Sequence, residues 1–497
     1  MQLVQNVPFF SIMLSMVSAI VTPVLPRRAA KWLSVGMVSV VVCLHIWFLP
    51  FMVSLGGSYT YMMGHFPAPW GNELRAGLLE ALIALALSIV MLLSQLSGMN
   101  KLQRQIDPPK QGLFYVMCNL VMAGMLTLTY TNDLFTAYVF IEILALSSCA
   151  LMMARQVGHT MVASMRYMIL SLLGSGLILI AIALTYNLTG HLLMENIRAV
   201  IAQYAADGEY ALPISVIIGL FIAGIAIKCG IFPFHMWLPD AYGYSTSAAS
   251  AVLSSVVSKA YFFLLVKIFY RVIGINVVMS DMALNLMLVL GVLSMILGSI
   301  GAIRCLDIRR MVAYSSVSQM GYLFAWVGLG STVGVAAAMF HLVVHALCKS
   351  MLFLSVSPLC DASGDSKRFV DLRGAGYRYV IPGIAFTLGS LSMVGIPILG
   401  GFFSKIFFAE AAISGAGWVR ITLLAALALS TLLNALYFMH TVLGLYRRPK
   451  KGFVRQPFIK SRLTAVTLSV FGFINLTIGF FAKDIINLIT TGIQNFA

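Results

Sequence analysis

Ionisable side chains are rare within the apolar stretches of this 497-residue sequence, and they are the groups that could do chemistry. A charge at the centre of a bilayer costs about 3 kcal/mol even on a lenient insertion scale, so each one needs a structural or functional reason. A carboxylate, amines and imidazoles together could accept and release protons. The set consists of Glu142, Lys228, Lys259, Lys267, Lys349 and Lys405, with His235, His341 and His345.

Glu142 lies near the middle of an apolar run, too far from either end for its carboxylate to reach the membrane surface. It must therefore be protonated or face a cation on another helix. A fixed structural ion pair and a proton-exchanging carboxylate are the two alternatives. Glu80 and Glu410 lie near the ends of apolar runs, where we expect snorkelling or solvent to satisfy them.

Lys228 is followed directly by a segment that cannot continue a regular helix. Pro233 and Pro239 both lie in the run Phe232-Pro-Phe-His-Met-Trp-Leu-Pro-Asp240, and proline breaks a helix interior. Freed backbone groups are tolerated inside a membrane only beside protein or water. Discontinuous helices of this kind frame ion sites in transporters. A proline kink at the membrane surface is the alternative.

A second helix break is predicted ahead of Lys405. Gly395 and Pro397 both disfavour a continuous helix, and Lys405 follows them in the same apolar run. Since the two predicted breaks lie five spans apart, they suggest two related five-helix units. Five is an odd number, so the units would be inverted relative to each other, as in many transporters.

Lys259 and a histidine face lie between the two breaks. The hydroxyls before Lys259 could form a hydrated lane or hold a static ammonium; they are Ser250, Ser254, Ser255 and Ser258. His341, His345 and Lys349 recur at every fourth position, so they share one helical face that could relay protons. Core histidines are the alternative, and half of a metal site is a weaker one. Lys267 lies near the end of its run and is expected to snorkel.

The elements that position these groups are membrane-spanning helices. Hydrophobic residues make up 60% of the chain and charged residues 10%, which is too apolar for a soluble domain. We predict an all-α polytopic membrane protein with about fourteen spans of roughly 20 residues each. The spans are placed near residues 5–25, 32–53, 75–98, 112–130, 134–154, 167–187, 213–235, 246–271, 282–303, 311–329, 331–358, 380–410, 418–445 and 463–482.

The net charge of +16 is distributed among loops. If both termini lie outside the cytoplasm, cytoplasmic loops hold 22 Lys and Arg residues and external segments hold 5. This asymmetry follows the positive-inside rule and argues against a nucleic-acid surface. The 7 cysteines are scattered singly, so their spacing supports no metal site, and we expect no cofactor.

These residues resemble those of the antiporter-like membrane subunits of respiratory complex I, Mrp-type cation/proton antiporters and membrane-bound hydrogenases. The resemblance covers about spans 4 to 13 and is closest to the D-type Mrp subunit. Its motifs are Glu142; Lys228 with Pro233 and Trp237-Leu-Pro-Asp240-Ala241; Ser254 to Lys259; Asp307-Ile-Arg-Arg310, Ala313-Tyr-Ser-Ser316 and Gln319-Met-Gly-Tyr322; His341 through His345-Ala-Leu-Cys-Lys349; and Gly395-Ile-Pro397 with Gly401-Phe-Phe-Ser-Lys405.

The resemblance implies a proton-translocating role for this set. Glu142 and Lys228 would form the input ion pair, Lys259 with the face of His341, His345 and Lys349 would form the central relay, and Lys405 would be the terminal site. The implied organisation is an N-terminal three-helix segment (1–111), a first five-helix repeat (112–271), a second repeat (282–445), and a basic loop with a C-terminal helix (446–497).

The same resemblance implies a place for the protein in a larger assembly. We expect a multi-pass subunit of a prokaryotic cytoplasmic membrane that contacts other integral membrane subunits and carries H⁺, with Na⁺ or K⁺ as further candidates. An Mrp-type antiporter is the first host, and a hydrogenase or a complex I-like oxidoreductase is the alternative. A structural subunit that conducts nothing and a quinone-handling enzyme subunit remain rival functions.

Overall fold

The computed structural model describes residues 3–66, 71–279, 282–448 and 461–496. Within these residues, 12 helical segments are long and apolar enough to cross a membrane. The prediction of an all-α polytopic membrane fold is confirmed. The one sheet in the described part is a short hairpin that the sequence analysis did not predict.

The N-terminal part combines three long helices with that hairpin. Strand β1 (Tyr59–Met62) pairs antiparallel with β2 (Glu73–Ala76) outside the apolar runs. The three helices are α1 (Val7–Val21), α2 (Arg27–Leu55) and α3 (Leu78–Gln105).

Two helical units and a C-terminal pair follow. The first unit consists of α4 (Gln111–Tyr130), α5 (Leu134–Met153), α6 (Gly158–Thr189), α7 (Met194–Asp207), α8 (Ala211–Cys229), α9 (Leu238–Tyr244), α10 (Ser247–Val252) and α11 (Ser258–Lys267). After the short α12 (Ile275–Met279), the second unit consists of α13 (Ala283–Arg304), α14 (Ile308–Val327), α15 (Thr332–Asp361), α16 (Ala375–Arg378), α17 (Val380–Val394), α18 (Gly400–Ser414) and α19 (Gly417–Leu445). The chain ends with α20 (Arg462–Phe480) and α21 (Ala482–Gln494).

Two of the predicted spans are absent from the 12 apolar segments, for different reasons. Helix α14 is long enough but begins with two arginines and carries several serines, so it is too polar by composition. Helices α17 and α18 are two halves of 15 residues each, separated by the predicted second break. When α14 is counted as one span and the pair α17 and α18 as another, each predicted span has one counterpart in the structure.

The eighth and eleventh spans form the buried centre of the bundle. The eighth runs from Ser247 to Ile273, and its apolar stretch is wholly covered by other helices, as is that of α15. Two π-helical turns, Leu253–Val257 and Ile268–Ile273, interrupt the eighth span. Such turns leave carbonyls displaced from the regular ladder and often mark functional positions.

Two expectations about charges near helix ends are wrong. Glu80 is fully buried and forms an ion pair with the buried Arg271 at 2.5 Å (Nη2 to Oε1). Arg271 also donates from Nε to the Phe496 carbonyl at 2.9 Å. Lys267 does not snorkel: its Nζ donates to the carbonyl of Thr129 at 2.6 Å and to two neighbouring carbonyls. Glu410 is exposed, as predicted.

The C-terminal segment differs from the predicted single helix. Residues 449–460, most of the predicted basic loop, lie outside the described residues. The amphipathic helix α21, which sequence analysis missed, packs against α3 and α15. Its Gly492 approaches Leu79 so closely that an added β-carbon would lie 3.1 Å from Leu79. The Phe496 contact with Arg271 therefore joins the end of the chain to the core.

Candidate functional site

Lys228 lies in the last turn of α8, beside the first helix break. Gly230 ends the helix with a φ of 66°, a conformation that glycine adopts without strain. The amides of Gly230 and Ile231 donate back to the carbonyls of Ile227 and Ala226, both at 3.2 Å, which is a Schellman closure. Glycine, more than proline, therefore sets where α8 stops.

Two further predicted residues of this break have different roles. Pro239 does not break the helix, because it lies in the first turn of α9, where its missing N–H costs nothing. His235 lies in the short 3₁₀ turn Phe234–Trp237 between the two halves. The Trp237 indole donates from Nε1 to the Ile227 carbonyl at 3.3 Å and so links the turn to the end of α8.

The Lys228 ammonium is buried and held by a neighbouring helix. Its Nζ donates to the Ser171 hydroxyl of α6 at 3.0 Å and lies 5.4 Å from the centre of the Tyr261 ring. Neither Ser171 nor Tyr261 was among the sequence candidates. No carboxylate oxygen of the described residues lies within 4.0 Å of this nitrogen.

Glu142 lies at the outer edge of the helix bundle, in the middle of α5. Its flanking residues on the same face, Val139 and Leu146, are 39% and 53% exposed. Its carboxylate oxygens lie more than 4.0 Å from the Lys228 ammonium, so the two groups are not in direct contact. The Tyr261 hydroxyl donates to the Ile141 carbonyl at 3.4 Å and so lies between the two groups. Glu142 and Lys228, the predicted ion pair, are therefore apart in this structure.

Lys259 follows the first π-helical turn of the eighth span. Its Nζ donates to the Ser254 carbonyl, five residues earlier, and to the Ser258 hydroxyl at 3.3 Å. The π turn displaces the Ser254 carbonyl from its regular partner, which makes it available to the ammonium. The Cys229 thiol donates to the Ser258 carbonyl at 3.5 Å, so the end of α8 contacts this turn.

The predicted histidine face is formed on α15. The rings of His341 and His345 stack with centroids 5.7 Å apart. Lys349 continues the face by donating to the Val312 carbonyl of α14 at 3.0 Å. A Ser404 hydroxyl lies 2.6 Å from His341 Nδ1 and joins the face to α18.

Lys405 lies on α18, beyond the second helix break. Gly395 ends α17 with a φ of 93°. The amides of Gly395 and Ile396 close the helix by donating to the Ser392 and Leu391 carbonyls, both at 3.0 Å. The Lys405 ammonium then returns to the break and donates to the Val394 carbonyl at 2.5 Å.

Several buried polar atoms beside these groups have no hydrogen-bond partner in the described part of the chain. Buried polar atoms in native proteins are nearly always bonded to protein or to water, and a polar cavity is where buried water is held. Each of these atoms could form a hydrogen bond with ordered water. The atoms are Glu142 Oε1, Ser175 Oγ, Gln319 Oε1 and Nε2, His341 Nε2 and both ring nitrogens of His345.

Comparison with known proteins identifies the family of the chain. The family model described as "NADH:quinone oxidoreductase/Mrp antiporter, TM" matches residues 131–440. The N-type subunit of the NADH-quinone oxidoreductase of Desulforudis audaxviator is 33% identical over 394 residues, covering 79% of this chain and 76% of that protein. The D-type subunit of the Na(+)/H(+) antiporter of Alkalihalophilus pseudofirmus is 26% identical over 375 residues, covering 75% and 73%.

A solved structure matches the fold over almost the whole chain. It is a chain of the membrane-bound sulfane sulfur reductase, an archaeal respiratory membrane complex. The match has a TM-score of 0.87 at 25% identity and covers 99% of this chain and 98% of that one. The predicted resemblance to the D-type antiporter subunit is confirmed, but the sequence identity with that subunit (26%) is lower than the identity with the N-type oxidoreductase subunit (33%).

Proposed function

We propose that this chain, which belongs to the NADH:quinone oxidoreductase/Mrp antiporter transmembrane family, moves H⁺ along a mid-membrane series of side chains and water. It is an antiporter-like membrane subunit of the complex I and Mrp type. The proton-carrying groups in this proposal are Glu142, Lys228, Lys259, His341, His345, Lys349 and Lys405.

The observation that carries the proposal is the series of buried polar atoms without partners beside these groups. The ammonium of Lys267 donates to three carbonyls and has no further N–H that needs a partner. Around His345 and Gln319, by contrast, two polar atoms of each side chain remain without a partner among the described residues. Water at these positions would connect groups that are too far apart for direct proton transfer.

The distance between Glu142 and Lys228 can control whether Lys228 keeps or releases its proton. A lysine close to a carboxylate keeps its proton, and one moved away in a dry site tends to release it. The hydroxyl of Ser171 can hold the ammonium while it is apart from Glu142. Shortening the distance between Glu142 and Lys228 would keep the proton on Lys228. Lengthening that distance would favour release of the proton from Lys228 towards Lys259.

We further propose the organisation and orientation of the chain in its complex. Residues 112–271 and 282–445 act as input and output half-channels, related as inverted units, and the identical closure of both helix breaks supports this pairing. Both termini face away from the cytoplasm, as the loop charges require. The 33% identity with an N-type oxidoreductase subunit favours a respiratory host over the Mrp host expected from the sequence.

The test is proton flux through the assembled complex in proteoliposomes. An inside-negative potential set by potassium and valinomycin drives H⁺ uptake, which an internal pH dye reports. We expect Glu142→Gln and Lys228→Met to reduce flux per assembled complex at least about tenfold. The matched controls are Glu410→Gln and Lys483→Gln, which change exposed charges. Wild-type flux in both site variants, or loss of assembly alone, would leave a structural subunit as the function.

A further inference from the structure

A polar cavity of about 860 Å³ lies among the loops joining α3 to α4, α5 to α6 and α15 to α17. Every carboxylate that lines it already has a cation as its partner. Asp361 and Asp365 form ion pairs with Lys101, and Asp107 lies 3.1 Å from Lys110. The acidic side of the cavity is therefore neutralised within the chain.

Several cations of the same cavity have no such partner. Arg155, Arg309 and Lys367 each donate to a carbonyl of residues 243–245, at 3.4, 2.6 and 3.0 Å. No carboxylate oxygen of the described residues lies within 4.0 Å of any of them, nor of the lining residue Arg104. The cavity therefore carries an excess of positive charge, which opposes a cation entrance and favours an anionic ligand.

Two local features show that this positive charge is crowded. Burial, followed by the positive charge of Arg309, lowers the pKa of Lys367 to about 8. Arg309 lies in the first turn of α14, where the positive end of the helix dipole disfavours a cation. An anion in the cavity would relieve both interactions.

The cavity continues into an apolar groove of about 570 Å³, because Ile381 and Ala465 line both. Val466, Val470 and Phe473 lie along the groove on one face of α20 and are 59%, 36% and 70% exposed. From Arg462, at the polar end, to Phe473 the helix rises about 16 Å at 1.5 Å per residue. This length is about half of a 30 Å hydrocarbon core, the depth of one leaflet.

We propose that the cavity and the groove together bind one anionic phospholipid, with its phosphate in the cavity and an acyl chain along α20. A basic pocket between membrane helices is a recognised kind of site for acidic headgroups. Free phosphate would satisfy the charges but leave the groove uncovered, and a neutral lipid would cover the groove but leave the charges unpaired. Only an anionic lipid matches both parts.

The test is native mass spectrometry of the assembled complex, delipidated and then incubated with phosphatidylglycerol or phosphatidylcholine. We expect one phosphatidylglycerol to be retained per chain, at least about tenfold more tightly than phosphatidylcholine. The double variant Arg155→Gln/Lys367→Gln should weaken its retention at least about fivefold, in line with the attraction per basic residue. Val470→Trp, which fills the groove, should weaken it by a similar factor.

Val289→Trp on α13 is the matched control for bulk at an exposed valine, and it should retain the lipid as the wild type does. Equal retention of the two lipids, wild-type retention in both site variants, or displacement by millimolar inorganic phosphate would overturn the proposal. Because the readout is bound lipid, its outcome is independent of whether the complex moves protons.

Discussion

The helix break after Cys229 and the break after Val394 have the same backbone closure and different partners. At each, a glycine with positive φ and the following isoleucine donate their amides to the preceding turn. At the first break the added donor is the neutral indole of Trp237. At the second it is the ammonium of Lys405.

This difference means that Lys405 caps a helix end in addition to its proposed role in proton transfer, whereas Lys228 has the proton-transfer role alone. Lys228 is bound by a hydroxyl on α6, so it can move or lose its proton without exposing the end of α8. Lys405 holds the last carbonyl of α17. Its movement away from the break would leave a helix end in the membrane without its donor, which is costly there.

The halves of the second break are also packed more tightly. A β-carbon added at Gly401 would lie 1.8 Å from the Ser392 carbonyl oxygen, which is backbone and cannot move aside. Across the first break, a β-carbon at Gly230 would meet side-chain atoms of Leu238 at 2.7 Å, whereas Gly243, at the far end of α9, faces the flexible Arg310 side chain of α14 at 2.8 Å. The second break is therefore a rigid joint, and the first has room to adjust.

The largest expected effect follows from this packing. Gly401→Ala should destabilise the second unit by more than about 4 kcal/mol, the range reached by severe overpacking and strain. We expect assembled complex to fall at least tenfold, measured by its yield on a native gel. Gly243→Ala should assemble near the wild-type level, and Gly176→Ala, which meets nothing within 4 Å, is the neutral control. Equal yields for Gly401→Ala and Gly243→Ala would mean that the backbone contact at Gly401 is as adaptable as the side-chain contact at Gly243.

Substitution of Lys228 and of Lys405 should distinguish an effect on proton flux from an effect on stability. Lys228→Met and Lys405→Met should both abolish proton flux. Only Lys405→Met should also lower the free energy of unfolding, by about 1–3 kcal/mol, because a buried carbonyl loses its donor. Thermal unfolding of the purified complex measures the difference.

Lys405→Arg provides the control for that prediction. Arginine keeps a donor for the Val394 carbonyl but does not release its proton at accessible pH. It should therefore restore thermal stability and leave proton flux absent. If Lys228→Met destabilised the complex as much as Lys405→Met, the proposed division of duties would be wrong.

The sequence was sufficient to find the charged groups and both breaks. Lys228, Lys259 and Lys405 could be identified because charge within an apolar run is rare and costly. The Gly-Ile pairs Gly230-Ile231 and Gly395-Ile396 carry the Schellman closure of the broken helices. The same pair occurs inside those helices as Gly224-Ile225 and Gly383-Ile384, so the pair alone does not locate the helix ends. The prolines drew attention to the right segments but misplaced one break at Pro239.

The partners of these groups could not be found in the same way. Ser171 and Ser404 are single serines among many in apolar helices, and only the packing of α6 and α18 brings them to Lys228 and His341. The error at Glu80 has the same origin. Position along an apolar run indicates depth in the membrane, whereas coverage by a distant segment, here Arg271 and the C-terminus, depends on tertiary structure.

The smallest effect is expected at the neutral donor of the first break. Trp237→Phe removes the indole N–H but leaves the Ile227 carbonyl bonded to the Gly230 amide, so the loss should be about 1 kcal/mol, as for one neutral hydrogen bond. Proton flux should stay near the wild-type rate, since Lys228 keeps its bond to Ser171. A loss of flux as large as that of Lys228→Met would instead show that Lys228 moves to the vacated carbonyl. In that case the first break, like the second, would use its lysine as a cap.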